Sequence, residues 1–226
     1  MKKTLLLFTF VLGASYSAWA GSCGSATLAV YDTPGFSCSI DDITFSGFDY
    51  VASGSVIIPA DDVAVTPEVV GGELGFQFNA PWYALPGGFL DSFIDYTATC
   101  DSSCQINDLT LSIAGDSAGV GGIIRVDETS PSIPGSLTVG QAGTTNIPSD
   151  STTFPPVGSL TVSKDILLGG GTSGLGSAVS SVTNLFSTTP VPEPSLLLLS
   201  AGLLGLLPIA RRKFARCSQR VVTHSL

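Results

Sequence analysis

The strongest constraint on the fold of this chain is a two-residue alternation of apolar and polar side chains along its middle. Residues 73–78, 108–113 and 159–163 follow this pattern, which is typical of half-buried strands whose successive side chains point to opposite faces. Turn sequences containing glycine and proline separate the runs, and no sustained helical period appears. The sequence therefore predicts an all-β domain over residues 21–186, an antiparallel β-sandwich of the jelly-roll or immunoglobulin-like kind.

Residues 1–20 have the three parts of a secretory signal peptide. Two lysines after the first methionine precede an apolar run over residues 5–14, and Ala18 and Ala20 are the small residues that a signal peptidase requires. The apolar run is too short to span a bilayer comfortably, which argues against the alternative of an N-terminal membrane anchor. Cleavage after Ala20 is predicted, so that the mature chain begins at Gly21.

The C-terminal region has a Pro-Glu-Pro motif, an apolar run and a basic cluster, in that order. The motif is Val191, Pro192, Glu193 and Pro194, the predicted transmembrane helix covers 196–210, and the basic cluster is Arg211, Arg212 and Lys213. A polar linker is expected at 187–190 and a cytoplasmic tail at 214–226. The prolines keep the motif extended, and the basic cluster is expected to stay cytoplasmic. An apolar run this short suits a transient anchor, because the hydrocarbon core of a bilayer is about 30 Å thick.

This three-part order resembles the PEP-CTERM sorting signal of Gram-negative bacteria that produce exopolysaccharide. The resemblance implies recognition by an exosortase, a membrane enzyme that cuts near the motif. It also implies a precursor anchored in the inner membrane and a mature protein at the cell surface or in the extracellular matrix. The alternative is an ordinary C-terminal membrane anchor. The tail after Lys213 departs from the pattern, because most such proteins end just after the basic cluster.

The body of the chain also resembles a subset of PEP-CTERM proteins. The likeness rests on residues 36–50, 126–129 and 162–166. It implies placement at the cell surface and no particular reaction.

Four of the five cysteines lie in the predicted domain. Cys23, Cys38, Cys100 and Cys104 are an even number in an exported chain, which predicts two disulfides. Of the three pairings, Cys23–Cys38 with Cys100–Cys104 is favoured because both bonds close short loops. The alternative is a zinc site of four thiolates, but the spacing is not that of a standard zinc site. Cys217, beyond the apolar run, is expected to be a free thiol or to be removed on processing.

Charge and histidine usage restrict the chemistry. The stretch from Gly21 to Pro190 holds 17 of the 18 acidic residues and only two basic ones, Arg125 and Lys164, for a formal charge of −15. Such a surface repels nucleic acid and anionic polymers, and the simplest interpretation is that the acids keep a secreted protein soluble. The one histidine, His224, lies in the tail. A histidine-dependent catalytic pair or metal site in the domain is therefore excluded.

Two sets of side chains are candidate binding groups. The first comprises the paired acids Asp41-Asp42, Asp61-Asp62 and Asp127-Glu128, and the second comprises the aromatic residues Trp82, Tyr83, Phe89 and Phe93. Clustered carboxylates suit calcium, but neighbouring acids on a strand point to opposite faces, so solvated acids are the simpler interpretation. Aromatic rings suit sugar stacking, yet a sandwich of this size needs aromatic residues in its core, and core packing is the favoured prediction.

The sequence therefore predicts a non-enzymatic structural or adhesive component of the cell surface or biofilm matrix, with exopolysaccharide as its expected partner. One alternative is a carbohydrate- or calcium-binding module, which requires an exposed aromatic strip or a carboxylate cluster. The other is a glycoside hydrolase, which requires a cleft with two acids about 5–10 Å apart. No cofactor is expected, and calcium is the metal ion that the paired acids would suit.

Overall fold

The computed structural model describes residues 21–191, which form two β-sheets around one hydrophobic core. The strands are β1 (Gly21–Ser22), β2 (Ala26–Thr27), β3 (Ser37–Ile40), β4 (Ile43–Gly54), β5 (Ala64–Val70), β6 (Glu73–Ala84), β7 (Phe89–Cys100), β8 (Cys104–Ala114), β9 (Ser117–Val120), β10 (Ile123–Thr129), β11 (Ser136–Ala142), β12 (Thr145–Ile147), β13 (Ser149–Val157), β14 (Ser159–Gly169) and β15 (Ser173–Pro190). A short helix, α1 (Leu28–Tyr31), and a 3₁₀ turn (Ala60–Asp62) lie between the early strands.

The two sheets differ in size. The eight-stranded sheet has the order β1-β3-β4-β7-β14-β10-β11-β12, and the seven-stranded sheet has the order β13-β8-β15-β6-β5-β2, with β9 added beside β15. Among the described strands every pairing is antiparallel except β1 with β3. The predicted antiparallel β-sandwich is confirmed.

The alternation seen in the sequence decides which side chains enter the core. In β8, Leu109, Leu111 and Ile113 are buried, whereas Thr110 and Ser112 between them are partly exposed on the outer face. The same two-residue pattern holds along β7 and β14. Because burial of one large apolar side chain is worth about 1.5–3 kcal/mol, the inward-facing rows are the main source of stability.

The centre of the core is a cluster of aromatic rings from both sheets. Phe45 of β4 and Phe76 of β6 have ring centroids 4.6 Å apart in an edge-to-face arrangement. Phe186 of β15 and Tyr96 of β7 lie 5.8 and 6.3 Å from Phe45. Contacts of this geometry add about 0.5–1.5 kcal/mol beyond the buried area, so this cluster holds the two sheets together.

Both favoured disulfides are present. Cys23–Cys38 joins the segment after β1 to β3, and Cys100–Cys104 spans the turn between β7 and β8. The pairing predicted from the sequence is confirmed. The four sulfur atoms are therefore committed to disulfides, which leaves no thiolate for the alternative zinc site.

The last strand is longer than the sequence predicts. Residues 187–190, expected to be a linker, continue β15 and pair with β8, and the N–H of Val191 donates to the carbonyl of Ser103 at 2.8 Å. The linker prediction is therefore wrong. Polar side chains do not end a strand while its backbone groups find partners in a neighbouring ladder, and β8 provides those partners as far as Cys104.

Several predicted segments lie outside the described residues. They are the signal peptide at 1–20, the sorting signal from Pro192 onward with its helix at 196–210, and the tail at 214–226. No helix within residues 21–191 is both apolar enough and long enough to cross a bilayer. The signal peptide, the sorting signal and the transmembrane helix stay predictions of the sequence.

Candidate functional site

The outer surface of the eight-stranded sheet carries a group of acidic side chains. Strands β4, β7, β14 and β10 are neighbours in this sheet, and their odd-numbered residues from position 49 onward point away from the core. We call the surface around Phe93 the aspartate face, after the five aspartates that it contains: Asp49, Asp91, Asp95, Asp127 and Asp165. Their shared orientation follows from the two-residue period of each strand.

A β-bulge in β4 is what turns Asp49 outward. Before the bulge, Ile43 and Phe45 point into the core, whereas after it Phe48 does, so the inward positions change from odd to even. Gly47 lies in the bulge with φ of 64°, a left-handed conformation that glycine adopts without steric penalty. Without the extra residue the alternation would direct Asp49 into the core.

The strand register places carboxylates opposite one another around Phe93. Asp95 is opposite Asp49, Asp165 is opposite Asp127, and Phe93 itself is opposite Asp165. Like charges in directly opposed positions destabilise a sheet. No core contact requires these carboxylates to lie opposite one another. Arrangements that lower stability in this way are expected at functional sites.

The acids of this face are electrostatically coupled. The pKa of Asp165 is raised from 3.8 to about 6 by partial burial, by a hydrogen bond with Asp91 and by the charges of Asp91 and Asp127, while Arg125 opposes the rise. Arg125 contacts Asp127 with Nε 2.6 Å from Oδ2, and the hydroxyl of Thr138 donates to Oδ1 of Asp127 at 2.7 Å. Asp127 is thus paired with Arg125, whereas the like charges of Asp91 and Asp127 favour the protonated form of Asp165.

A shallow depression of about 240 Å³ lies beside Phe93. Its lining residues are Asp49, Val51, Ser53, Asp91, Phe93 and Asp95. The side chains of Phe93 and Val51 are 41% and 59% exposed. Asp91, Asp95 and Asp165 each have one carboxylate oxygen that is shielded from solvent and accepts no hydrogen bond from residues 21–191. The aspartate face therefore combines an exposed aromatic ring with neighbouring carboxylates.

The raised pKa of Asp165 predicts a pH-dependent effect of Asp165→Asn. A carboxyl whose pKa is higher in the folded state binds its proton more tightly there, so folding stability falls as the pH rises from about 4 to about 6. The asparagine variant lacks this loss. We expect its stability relative to the wild type, from urea unfolding, to increase between pH 4 and pH 7.

Asp101→Asn is a control of opposite sign. The side chain and backbone N–H of Ser103 donate to Asp101 and lower its pKa. Its ionised form therefore stabilises the fold, and this stability is lost as the pH falls. The control variant should be less stable than the wild type near neutral pH and should approach it in acid. A constant difference between Asp165→Asn and the wild type across the pH range contradicts the assignment.

The predicted aromatic residues do not form one platform. Trp82 is fully buried, as the favoured core prediction requires. That prediction is wrong for Tyr83, Phe89 and Phe93, which are 41%, 51% and 41% exposed. Tyr83 lies on the seven-stranded sheet, whereas Phe89 and Phe93 share the outer face of β7. The reason is the strand period, which turns Tyr83 outward when Trp82 enters the core.

The three pairs of acids also lie in different parts of the fold. Asp41 and Asp42 lie in the exposed turn between β3 and β4, and Asp61 and Asp62 lie in the exposed 3₁₀ turn, which confirms the interpretation of solvated acids. Among residues 21–191, no three acidic, cysteine or histidine side chains are grouped in a way that suits a metal ion. Calcium stays an untested prediction of the sequence.

The side chains of the third pair, Asp127 and Glu128, point to opposite faces of the sheet. The inward-facing one belongs to a site that the sequence reasoning missed. Asp127 points outward, whereas Glu128 is fully buried and bonded to Lys164 across the ladder. The amide nitrogen of Asn184 donates to Oε1 of Glu128 at 3.0 Å, and the hydroxyl of Tyr96 donates to the side-chain oxygen of Asn184. We call these four residues, Tyr96, Glu128, Lys164 and Asn184, the buried polar cluster.

Burial controls the acidity of this cluster. Desolvation lowers the pKa of Lys164, although the charge and hydrogen bond of Glu128 oppose this shift. Desolvation and the nearby charge of Glu128 raise the pKa of Tyr96 far above its usual value. Within residues 21–191, Glu128 and Lys164 are the only charged residues that are buried. The sequence does contain a signal for them, because both occupy inward positions of an otherwise apolar alternation.

Comparisons with known proteins give little further information. No protein family and no curated protein matches the sequence. The carbohydrate-binding module TmCBM61, solved with β-1,4-galactotriose, has 9% identity and a TM-score of 0.26 over 64% of this chain and 88% of its own. The enzymatically active domain of bacteriophage CBA120 tailspike protein 4 has 11% identity and a TM-score of 0.26 over 65% of this chain and 20% of its own. Similarity at these TM-scores carries no argument about this chain.

Proposed function

We propose that this protein is an exported, non-enzymatic component of the cell surface or exopolysaccharide matrix, and that it binds a neutral glycan on its aspartate face. The observation that carries the proposal is the exposed ring of Phe93 beside Asp49, Asp91 and Asp95 in one shallow depression. The C–H faces of a sugar ring pack against an aromatic ring, while its hydroxyl groups donate to carboxylates. Both parts of this chemistry are present within one shallow depression.

The charge of the face supports a neutral ligand. Four of the five aspartates have no cationic partner in residues 21–191, because Arg125 is bonded to Asp127 and Lys164 is buried. An anionic polysaccharide would be repelled, since the local field is negative.

The sandwich is best assigned to the jelly-roll class among the two predicted forms. Four consecutive strands of each sheet have the orders β6-β15-β8-β13 and β7-β14-β10-β11. As the chain passes through β6, β7, β8 and β10 in turn, each strand lies in the sheet opposite to that of the strand before it. The same holds as the chain passes through β11, β13, β14 and β15. An eight-stranded jelly roll has this order, with two Greek keys. An immunoglobulin-like sandwich divides seven strands differently.

Export of the domain is supported by its disulfides, since such bonds persist in oxidising compartments. In our proposal the signal at 1–20 directs export, and an exosortase processes the sorting signal at 191–213. The folded domain ends beside Cys104, where β15 stops at Pro190. The sorting motif therefore begins directly at the end of the sandwich, with no long spacer before it.

Phe93→Ala tests the glycan site. The purified exported protein is run through native gels that contain neutral galactan or glucan, with alginate as the anionic control. We expect the wild type to be retarded by a neutral polymer and not by alginate. The variant should lose roughly tenfold or more in affinity, because its stacking surface is removed.

Tyr83→Ala is the matched control for this experiment. Tyr83 is as exposed as Phe93 but lies on the opposite sheet, so its removal should leave retardation unchanged. Equal behaviour of the two variants contradicts the assignment to the aspartate face. A wild type that no neutral polymer retards contradicts glycan binding itself.

Replacement of Pro192, Glu193 and Pro194 by alanine tests the sorting proposal separately. In the native host we expect the wild type to be trimmed near Glu193 and recovered from the surface or matrix fraction. The variant should keep its full length and stay in the membrane, because the processing motif is gone. The measurement is the mass and fractionation of the protein. If the wild type also stays full-length in the membrane, the C-terminus is only an anchor.

A further inference from the structure

The buried polar cluster places a lysine amine and an asparagine amide on the same carboxylate. Nζ of Lys164 donates to Oε2 of Glu128, and Nδ2 of Asn184 donates to Oε1 at 3.0 Å. Lys164 belongs to the eight-stranded sheet and Asn184 to the seven-stranded sheet. A single carboxylate therefore holds the two side chains next to each other across the core.

The amide of Asn184 is oriented by three partners. Its Nδ2 also donates to the carbonyl of Thr110 at 3.1 Å, while its Oδ1 accepts the hydroxyl proton of Tyr96. The donor and acceptor ends are thus distinguished by their partners. A hydrogen bond to Oδ1 polarises the amide carbonyl, and it stabilises the negative charge that forms on this oxygen when a nucleophile attacks the carbon.

We propose that Lys164 and Asn184 become joined by an intramolecular isopeptide bond, with Glu128 as the proton carrier and Tyr96 as the hydrogen-bond donor to the amide oxygen. The proposal concerns a covalent modification of the core and does not depend on the glycan site. The reactants need no external enzyme, because folding alone brings them together.

The chemistry balances without another reactant. Nζ passes a proton to Glu128, and the free amine attacks Cγ of Asn184, forming the Nζ–Cγ bond. Glu128 moves a further proton from Nζ to Nδ2, the Cγ–Nδ2 bond breaks, and the nitrogen leaves as ammonia. Ammonia takes the remaining proton, which restores the carboxylate. No group is oxidised or reduced.

The environment favours this amine as a nucleophile. Tyr96, Glu128, Lys164 and Asn184 are all fully buried, and the ring of Phe186 packs 6.3 Å from that of Tyr96. Desolvation favours the neutral form of a lysine, which is the form that attacks a carbonyl. Exclusion of water also protects the amide and its product from hydrolysis.

Trypsin digestion of the purified full chain tests the proposal directly. Between Lys3 and Arg211 the only trypsin sites are Arg125 and Lys164. Without the bond, digestion yields a fragment of residues 126–164 and another that begins at Asp165. With the bond, Lys164 resists cleavage, and one fragment begins at Val126 and contains Asn184. Its mass should be about 17 Da below that of its sequence, which is the loss of ammonia.

Two variants test the assigned roles. Lys164→Met removes the nucleophile and should restore the full sequence mass of the chain. Glu128→Gln keeps the shape of the side chain but cannot carry the proton, and it should also show the unmodified mass. A wild type with its full sequence mass and normal cleavage after Lys164 overturns the proposal, whether or not the variants fold. Cross-linking of Glu128→Gln to the wild-type extent overturns the role of Glu128.

Discussion

Glu128→Ala is expected to lower the free energy of unfolding by about 3–5 kcal/mol, as measured by urea denaturation of the purified protein. The substitution leaves the amine of Lys164 buried without its carboxylate partner. It also removes an acceptor from Nδ2 of Asn184. A buried amine left without its partner is far more destabilising than the absence of the pair, because its hydration is lost and nothing replaces it.

Two further variants separate this effect from a general sensitivity to charge removal. Arg125→Ala breaks the exposed pair with Asp127, which is the residue before Glu128 in β10, and should cost about 0–1 kcal/mol. The double variant Glu128→Leu with Lys164→Met replaces the buried charges by apolar groups and should be more stable than Glu128→Ala. A loss no larger for Glu128→Ala than for Arg125→Ala contradicts the prediction.

Phe45→Ala is expected to lower the free energy of unfolding by about 3–5 kcal/mol. Phe45 is fully buried, and its ring packs 4.6 Å from that of Phe76 and 5.8 Å from that of Phe186. Removal of the ring leaves a cavity between the two sheets. The surrounding strands are held by their ladders and cannot close it fully, so contact energy is lost in addition to the hydrophobic term.

Phe93→Ala is the control for the core prediction, because it removes the same side chain from a partly exposed position of the outer face. Its expected cost is within about 0.5 kcal/mol. The pair of variants also separates stability from binding, since Phe93→Ala should lose glycan affinity while Phe45→Ala loses stability. If Phe45→Ala and Phe93→Ala have comparable thermal midpoints, the assignment of Phe45 to the core and of Phe93 to the binding site is contradicted.

The sequence predicts the alternation within each strand well, but it predicts poorly which strands and sheets contact one another. Alternation shows that Trp82 and Tyr83 point to opposite sides of a strand, but it does not say which of them enters the core. The same holds for Asp127 and Glu128. The answer depends on the sheet that packs opposite, which belongs to distant parts of the chain. The bulge at Gly47 reverses the inward positions within β4, and a strict alternation gives no sign of it.

The sequence by itself determined the β class, the two disulfides and most of the inward-facing apolar rows, because these depend on residue type and on a period of two within each strand. Only the tertiary structure decided that residues 187–190 extend the last strand, and that Phe93 is surrounded by aspartates. It also brought Tyr96 within hydrogen-bonding distance of Asn184, 88 residues further along the chain. Strand register and the facing of sheets arise from packing between distant segments, and no local pattern encodes them.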